Sequence, residues 1–268
     1  MKERKWITLF GVTAAFLIFV ACVGDSGNNG TETDGTSSSL EVSSSSVASS
    51  SSAVAVSYGE MTDPRDKQVY KTVVIGTQMW MAENLNYDTL DGMGSWCYEN
   101  SADSCTKFGR LYQWVVAMVL DSVYNDTIWS GSGVNRQGIC PSGWHLPSND
   151  EWQTLAAYVS AQSGVGGKDV DGSWSAIGTL LKSTTEWPSY SGVATGTNTF
   201  GFSALPGGYR LDGGDFVGVD RGTFFWSSTE SSYYYYAYNR TLTYYSEYFN
   251  NIDNFKKHAF SVRCVKDL

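Results

Sequence analysis

Four cysteines, Cys97, Cys105, Cys140 and Cys264, lie in the C-terminal part of the chain, and how they pair limits its topology more than any other feature. Four sulfurs allow three connectivities. Cys97 and Cys105 share one short segment, so local pairing is favoured, and Cys140 is then left to reach Cys264. That bridge would tie the middle of the domain to its last strand. Closing so long a loop contributes about 4 to 5 kcal/mol in the chain-entropy model, less any native strain. A metal site is the competing use of the same side chains. No C-x-x-C spacing occurs and the sequence holds only two histidines, His145 and His258, a poor ligand set for zinc.

Whether these sulfurs are oxidised depends on the compartment, and the N-terminus bears on that. Lys2, Arg4 and Lys5 precede an apolar run from Trp6 to Val20, which ends in Phe19-Val20-Ala21-Cys22. The pattern resembles a bacterial lipobox, in which the cysteine is acylated and becomes the new N-terminus. Residues 1–21 are therefore expected to be a lipoprotein signal peptide and Cys22 the lipid anchor. An uncleaved membrane anchor is the alternative, but the run is marginally short for the ~20 residues a span requires. Both readings place the protein outside the cytoplasm, where disulfides persist. The expected location is the cell envelope, surface-exposed, with the membrane reached through acyl chains. Removing residues 1–21 takes away Lys2, Arg4, Lys5 and Glu3, so a whole-chain charge of −9 becomes −11. An acidic surface repels phosphates, and nucleic acid is excluded as a partner.

Residues 22–57 include the serine runs 43–46 and 49–52 and carry almost no large apolar side chain. Such a segment buries too little surface to offset its ordering entropy, which predicts a disordered tether. Residues 58–268, rich in glycine and aromatics, suffice for one domain with a sizeable core. Val69–Ile75 and Gln78–Met81 read as strands around a Gly76-Thr77 turn. Leu111–Met118 reads as strand or helix. After His145-Leu146-Pro147, Ser148 and Glu151 form a capping box, and Trp152, Leu155, Ala156 and Val159 follow at helical spacing. Ser173–Leu181 suggests a second short helix. Strands are expected at 208–211, 223–227, 235–243 and 259–265. Few helices beside many short strands predict an α+β domain.

Several blocks carry a family resemblance. They are Val73-Val74-Ile75-Gly76-Thr77-Gln78-Met79-Trp80-Met81-Ala82-Glu83-Asn84-Leu85, Gly109-Arg110-Leu111-Tyr112, Cys140-Pro141-Ser142-Gly143-Trp144-His145-Leu146-Pro147, Gly201 to Arg210, Phe225 to Glu230, and Ser261-Val262-Arg263-Cys264. From Asp63 to Asp267 the chain resembles the Fibrobacter succinogenes major paralogous domain family nearly end to end, which implies an exported surface protein and little chemistry. More distantly, Leu146 to Trp152 and Ser261 to Cys264 resemble the formylglycine-generating enzyme and the C-type-lectin-like fold. That likeness implies a C-type-lectin-like single domain. It does not carry activity over, because the enzyme uses two nearby C-terminal cysteines and this chain has Cys264 alone.

Catalysis finds little support in the sequence. There is no G-x-S-x-G elbow and no H-E-x-x-H helix, and His145 reads as structural. Asp212, Asp215, Asp220 and Glu230 are the carboxylates a glycosidase would draw on, and the three aspartates are those a calcium ion would use. Acidic loop residues are usually only solvated, so neither metal nor cofactor is expected. Of nine tryptophans beyond Trp6, Trp80, Trp114, Trp144, Trp152 and Trp226 fall in core patterns. Exposure is expected for Trp187 and Tyr190 in the polar loop 183–199, with Asp212 and Asp215 projecting nearby. Flat aromatic faces beside polar groups suit pyranose rings. These four residues form the candidate site of a non-catalytic adhesion module for polysaccharide or glycan. The alternatives are a structural envelope protein packing against other surface proteins, and an enzyme of the formylglycine-generating fold.

Overall fold

The computed structural model describes residues 56–89, 92, 94–131 and 136–268. The expected signal peptide, Cys22 and all but the last two residues of the expected tether lie outside them.

The described chain opens with three strands, β1 (Tyr58–Thr62), β2 (Val69–Ile75) and β3 (Gln78–Met81). The β2–β3 pairing sets Ile75 opposite Gln78, leaving the expected two-residue turn, and Gly76 takes a φ of +66° at its first position. A short strand β4 (Ser95–Trp96), helix α1 (Ala102–Phe108), strand β5 (Leu111–Gln113) and a single helical turn α2 (Trp114–Ala117) follow. Leu111–Met118 is thus strand first and helix second. Next come α3 (Asn149–Ser163) and α4 (Gly178–Leu181). The remainder is strand: β6 (Gly207–Arg210), β7 (Phe216–Val219), β8 (Gly222–Glu230), β9 (Tyr236–Thr243), β10 (Asn250–Phe255), β11 (Ala259–Ser261) and β12 (Val265–Asp267). Helices and strands mix as an α+β domain requires.

The strands form two sheets. One runs β1-β2-β3-β12; the other runs β10-β9-β8-β6-β11-β5-β4, with β7 paired to β6. The expected single strand over 259–265 is therefore two strands in different sheets. Val262, Arg263 and Cys264 between them are all buried, a run without the alternation one strand face would need. Here the chain crosses from one sheet to the other. The Leu85 amide donates to Val262 O (2.9 Å) and the Met81 amide to Cys264 O (3.0 Å), so each side of the crossing is hydrogen-bonded.

Arg263 fills the crossing. It is 1% exposed. Its guanidinium donates to Asn84 Oδ1 (2.5 Å), Met81 O (3.1 Å), Phe202 O (2.5 Å) and Ser203 O (3.0 Å). Burial pushes its pKa down. The carbonyls offset that desolvation in place of a carboxylate, and the ring of Phe202 lies 4.6 Å beneath. Both expected disulfides are present, Cys97–Cys105 and Cys140–Cys264, the second spanning 124 residues.

Helix α3 forms as its sequence directs. Ser148 Oγ accepts from the Glu151 amide (3.2 Å), and Glu151 accepts from the Ser148 amide (2.7 Å). Gly164 closes the helix in the left-handed conformation. Its buried stripe packs Trp152 onto Trp80 (ring centroids 4.5 Å), Phe202, Phe225 and Phe249. The expected helix over 173–181 shrinks to α4. Trp174 instead exchanges backbone hydrogen bonds with Phe249, which pulls its segment into extended pairing.

Arg263→Lys keeps a positive charge but puts one ammonium where a forked donor reaches four acceptors. With both disulfides intact, urea unfolding should show a loss of about 2 to 3 kcal/mol. A loss within experimental error would mean that the clamp does not hold the crossing.

Candidate ligand cleft

A cleft of about 830 Å³ opens between the first turn of α3, the β2–β3 turn, the end of β8 and the segment Ile128–Gly131. Its hydroxyl donors are numerous: Thr77, Ser130, Thr154, Ser228, Thr229 and Ser232 all line it. The walls are fixed by backbone bonds. Ser228 N–H donates to Pro147 O (2.8 Å), and Asn149 N–H donates to Thr229 Oγ1 (2.9 Å), which joins the end of β8 to the start of α3. Gln78 is buried at the base, donating to Glu151 O and accepting from Trp80 Nε1.

Of the three carboxylates that line the cleft, Asp150 is exposed on the first turn of α3, and the other two are engaged within the protein. Glu230 pairs with the fully buried Lys256 and accepts from the Trp129 amide through both oxygens (3.0 and 3.1 Å). Lys256 also donates to Tyr124 O and Thr127 O. Glu151 receives His145 Nε2 (2.5 Å) in addition to the Ser148 cap. Burial alone would raise the Glu151 carboxyl, but His145 and the Ser148 amide and hydroxyl hold it below the usual carboxylate range. At neutral pH it is an ionised acceptor, unlike a general acid. Arg136 donates to Met118 O and lies 4.6 Å over the Trp129 ring. A Cβ at Gly131 would come within 2.1 Å of that ring, so only glycine fits there.

The sequence-derived site looks different in three dimensions. Trp187 is not exposed. It keeps only 9% of its surface, donates Nε1–H to Ala204 O (2.9 Å) and packs under Lys182. Its polar neighbours in sequence concealed a side chain that the core recruits. Tyr190 is 48% exposed, as expected, and its ring meets the edges of Tyr244 and Tyr245 just beyond the end of β9. Asp212 and Asp215 lie in the exposed β6–β7 turn, but not beside Tyr190. Asp212 faces His258, which follows β10, and Phe255 of β10 pairs with Tyr236 at the start of β9. The length of β9, roughly 20 Å or more at the usual rise per residue, separates the two groups. Among the described residues no three His, Cys, Asp or Glu side chains converge as metal ligands would. His145 is held by Glu151 and by a backbone bridge to Val265.

Sequence reasoning missed Trp129, Arg136 and Lys256. The readable signal was the hydroxyl run Ser227-Ser228-Thr229-Glu230-Ser231-Ser232, which places polar groups on both faces at the end of a strand. No pattern in the chain foretold that it would meet the helix cap.

A model described as the Fibrobacter succinogenes major domain matches residues 73–266, and the chain belongs to that family. Among the curated proteins and among the solved structures nothing matches it.

Because the folded-state pKa of Glu151 is lowered, its contribution is complete above the ordinary carboxylate pKa and is lost as pH falls through the lower, folded value. Asp63 behaves alike: burial would raise it, but hydrogen bonds from Arg65 hold it down. Glu151→Gln should therefore make the fall of Tm below about pH 5 shallower without abolishing it. An unchanged slope would show that the His145–Glu151 pair carries no folding energy.

Proposed function

We propose that this member of the Fibrobacter succinogenes major domain family is an exported, lipid-anchored, non-catalytic module that binds neutral polysaccharide in the cleft at the head of α3. One observation supports it above others: the cleft is lined by hydroxyls while its two half-buried carboxylates, Glu151 and Glu230, are already engaged within the protein. A neutral, hydroxylated ligand exchanges hydrogen bonds with such a wall and needs no counter-charge. An anionic ligand would meet Glu151, Glu230 and a net charge of −11 once residues 1–21 are removed. The same pairing speaks against hydrolysis. Both oxygens of Glu230 are occupied, and Glu151 is held ionised where a glycosidase needs one protonated acid.

The N-terminal residues fit this role. A lipid at Cys22 and a serine-rich tether would hold the domain clear of the membrane that anchors it. The C-type-lectin-like reading of the fold rests on the capped helix after Leu146-Pro147 and on the closing Arg263-Cys264 segment. Packing against other envelope proteins is favoured by a different feature, an apolar groove of about 680 Å³ beside β1 lined by Val56, Tyr58, Val74, Tyr158 and Phe200.

Thr154 lines the cleft from the exposed side of α3, so Thr154→Trp should fill it without entering the core. The full-length protein should be retained on insoluble plant polysaccharides, and Thr154→Trp should weaken retention about tenfold or more at unchanged Tm. Equal retention of the two, or no retention of the wild type on cellulose, xylan or mannan, would contradict the reading. Envelope packing would instead be disturbed by Tyr158→Asp and indifferent to Thr154→Trp.

A further inference from the structure

The cleft does not end at its rim. The wall formed by the end of β8 runs through Ser231 and Ser232 into the loop that turns back to β9, and that loop carries Tyr233, Tyr234 and Tyr235. These rings are 68%, 44% and 41% exposed. Exposed aromatic surface of this extent contributes nothing to the core and is costly in water unless something covers it. The loop is nonetheless firmly held. Ser231 Oγ–H donates to Asp253 Oδ2 (2.6 Å), Ser231 N–H to Tyr236 O (3.0 Å) and Tyr236 N–H to Tyr233 O (2.9 Å). The Tyr234 and Tyr235 hydroxyls are hydrogen-bonded (2.8 Å) with ring centroids 3.9 Å apart, and Tyr236 stacks on the half-exposed Phe255.

Polar groups surround this platform. Tyr235 and Phe255 line a shallow hollow of about 190 Å³ with Asn125, Asp126, Asp212 and Lys257. Asn125 is more than nine-tenths buried, and its Oδ1 has no hydrogen-bond partner among the described residues. The hollow and the cleft have no lining residue in common, but they border the same two segments. The β8–β9 loop bounds both, and so does the segment that carries Asn125 and Asp126 on one side and Ile128 and Trp129 on the other. Lys256 ties these walls together through Tyr124 O, Thr127 O and Glu230.

We infer that the ligand is a linear neutral glycan whose chain leaves the cleft over Ser231 and Ser232 and stacks on the platform of Tyr234, Tyr235 and Phe255. This rests on the cleft reading above and adds the requirement for a polymer. The cleft supplies hydrogen bonds and few free ring faces, since Arg136 and Gly131 crowd Trp129. The platform supplies rings, with an exposed acceptor at Asp212 and the unpartnered Asn125 Oδ1 just beneath the surface. Each does what the other lacks, and only a chain long enough to touch both gains from both.

The test is affinity against chain length in the full-length protein, by calorimetry with short and long members of the cello-, xylo- and manno-oligosaccharide series. In the series that binds, the hexasaccharide should bind wild type roughly tenfold tighter than the disaccharide. Tyr234→Ala/Tyr235→Ala, at unchanged Tm, should bind both at the disaccharide's affinity. Thr154→Trp should abolish binding of either. If the double variant keeps the full gain with length, or wild type shows none, the platform plays no part while the cleft reading stands. Loss of self-association in that variant, with the gain retained, would reassign the tyrosines to a contact between copies. If hexasaccharide still binds Thr154→Trp, the platform is a separate site and the continuous path is wrong. No binding of any series to wild type would sink the cleft reading and this inference together.

Discussion

A buried guanidinium at a chain crossing is the constraint on which the remaining structure depends. Between β11 and β12 three residues carry the backbone out of one sheet and into the other, and the middle one is Arg263. An arginine without a carboxylate is costly to bury. It is tolerated here because Met81, Phe202 and Ser203 would otherwise present carbonyls to the interior, and Asn84 an amide oxygen. Donor and acceptors satisfy one another, and in doing so they fix β3, the loop before β6 and the last strand relative to each other.

From that crossing a short series of contacts leads to the cleft. Cys264, the next residue, is bonded to Cys140, and the residue after it, Val265, exchanges backbone hydrogen bonds with His145. His145 holds Glu151, Glu151 caps α3 through Ser148, and the start of α3 binds the end of β8 through Thr229. Every link is a hydrogen bond or a covalent bond between buried or half-buried groups, so the cleft walls are preorganised. For the glycan binding proposed above, preorganisation would matter, since each ordered side chain is one whose freedom is not lost on binding.

Features governed by local chemistry were legible in the sequence. The capping box at Ser148, the stripe on α3, the Gly76 turn and the five core tryptophans follow from spacing and composition, and of three possible connectivities the favoured local pairing of Cys97 with Cys105 is the one present. Elements held together by distant partners were not. β10, Asn250–Phe255, is rich in asparagine and lies outside the expected strands, yet it pairs along its whole length with β9. β1 is exposed on both faces and exists because β2 lies beside it. Helix α1 is seven residues long and stapled by Cys97–Cys105. The candidate site suffered most. Polar surroundings suggest an exposed Trp187, but the fold buries it, and the tyrosines at 233–236 acquire neighbours only when Asp212 and Phe255 are brought beside them.

Native-state hydrogen exchange, followed amide by amide through increasing denaturant, tests most directly whether the crossing joins the two sheets into one unit. The Met81 amide, bonded to Cys264 O, and the ladder amides of β8 and β9 should all open with the same free energy and the same denaturant dependence, that of global unfolding. Exchange of Met81 and the β2–β3 amides at markedly lower free energy, with β8 and β9 still protected, would show the smaller sheet detaching by itself and would contradict the role assigned to Arg263.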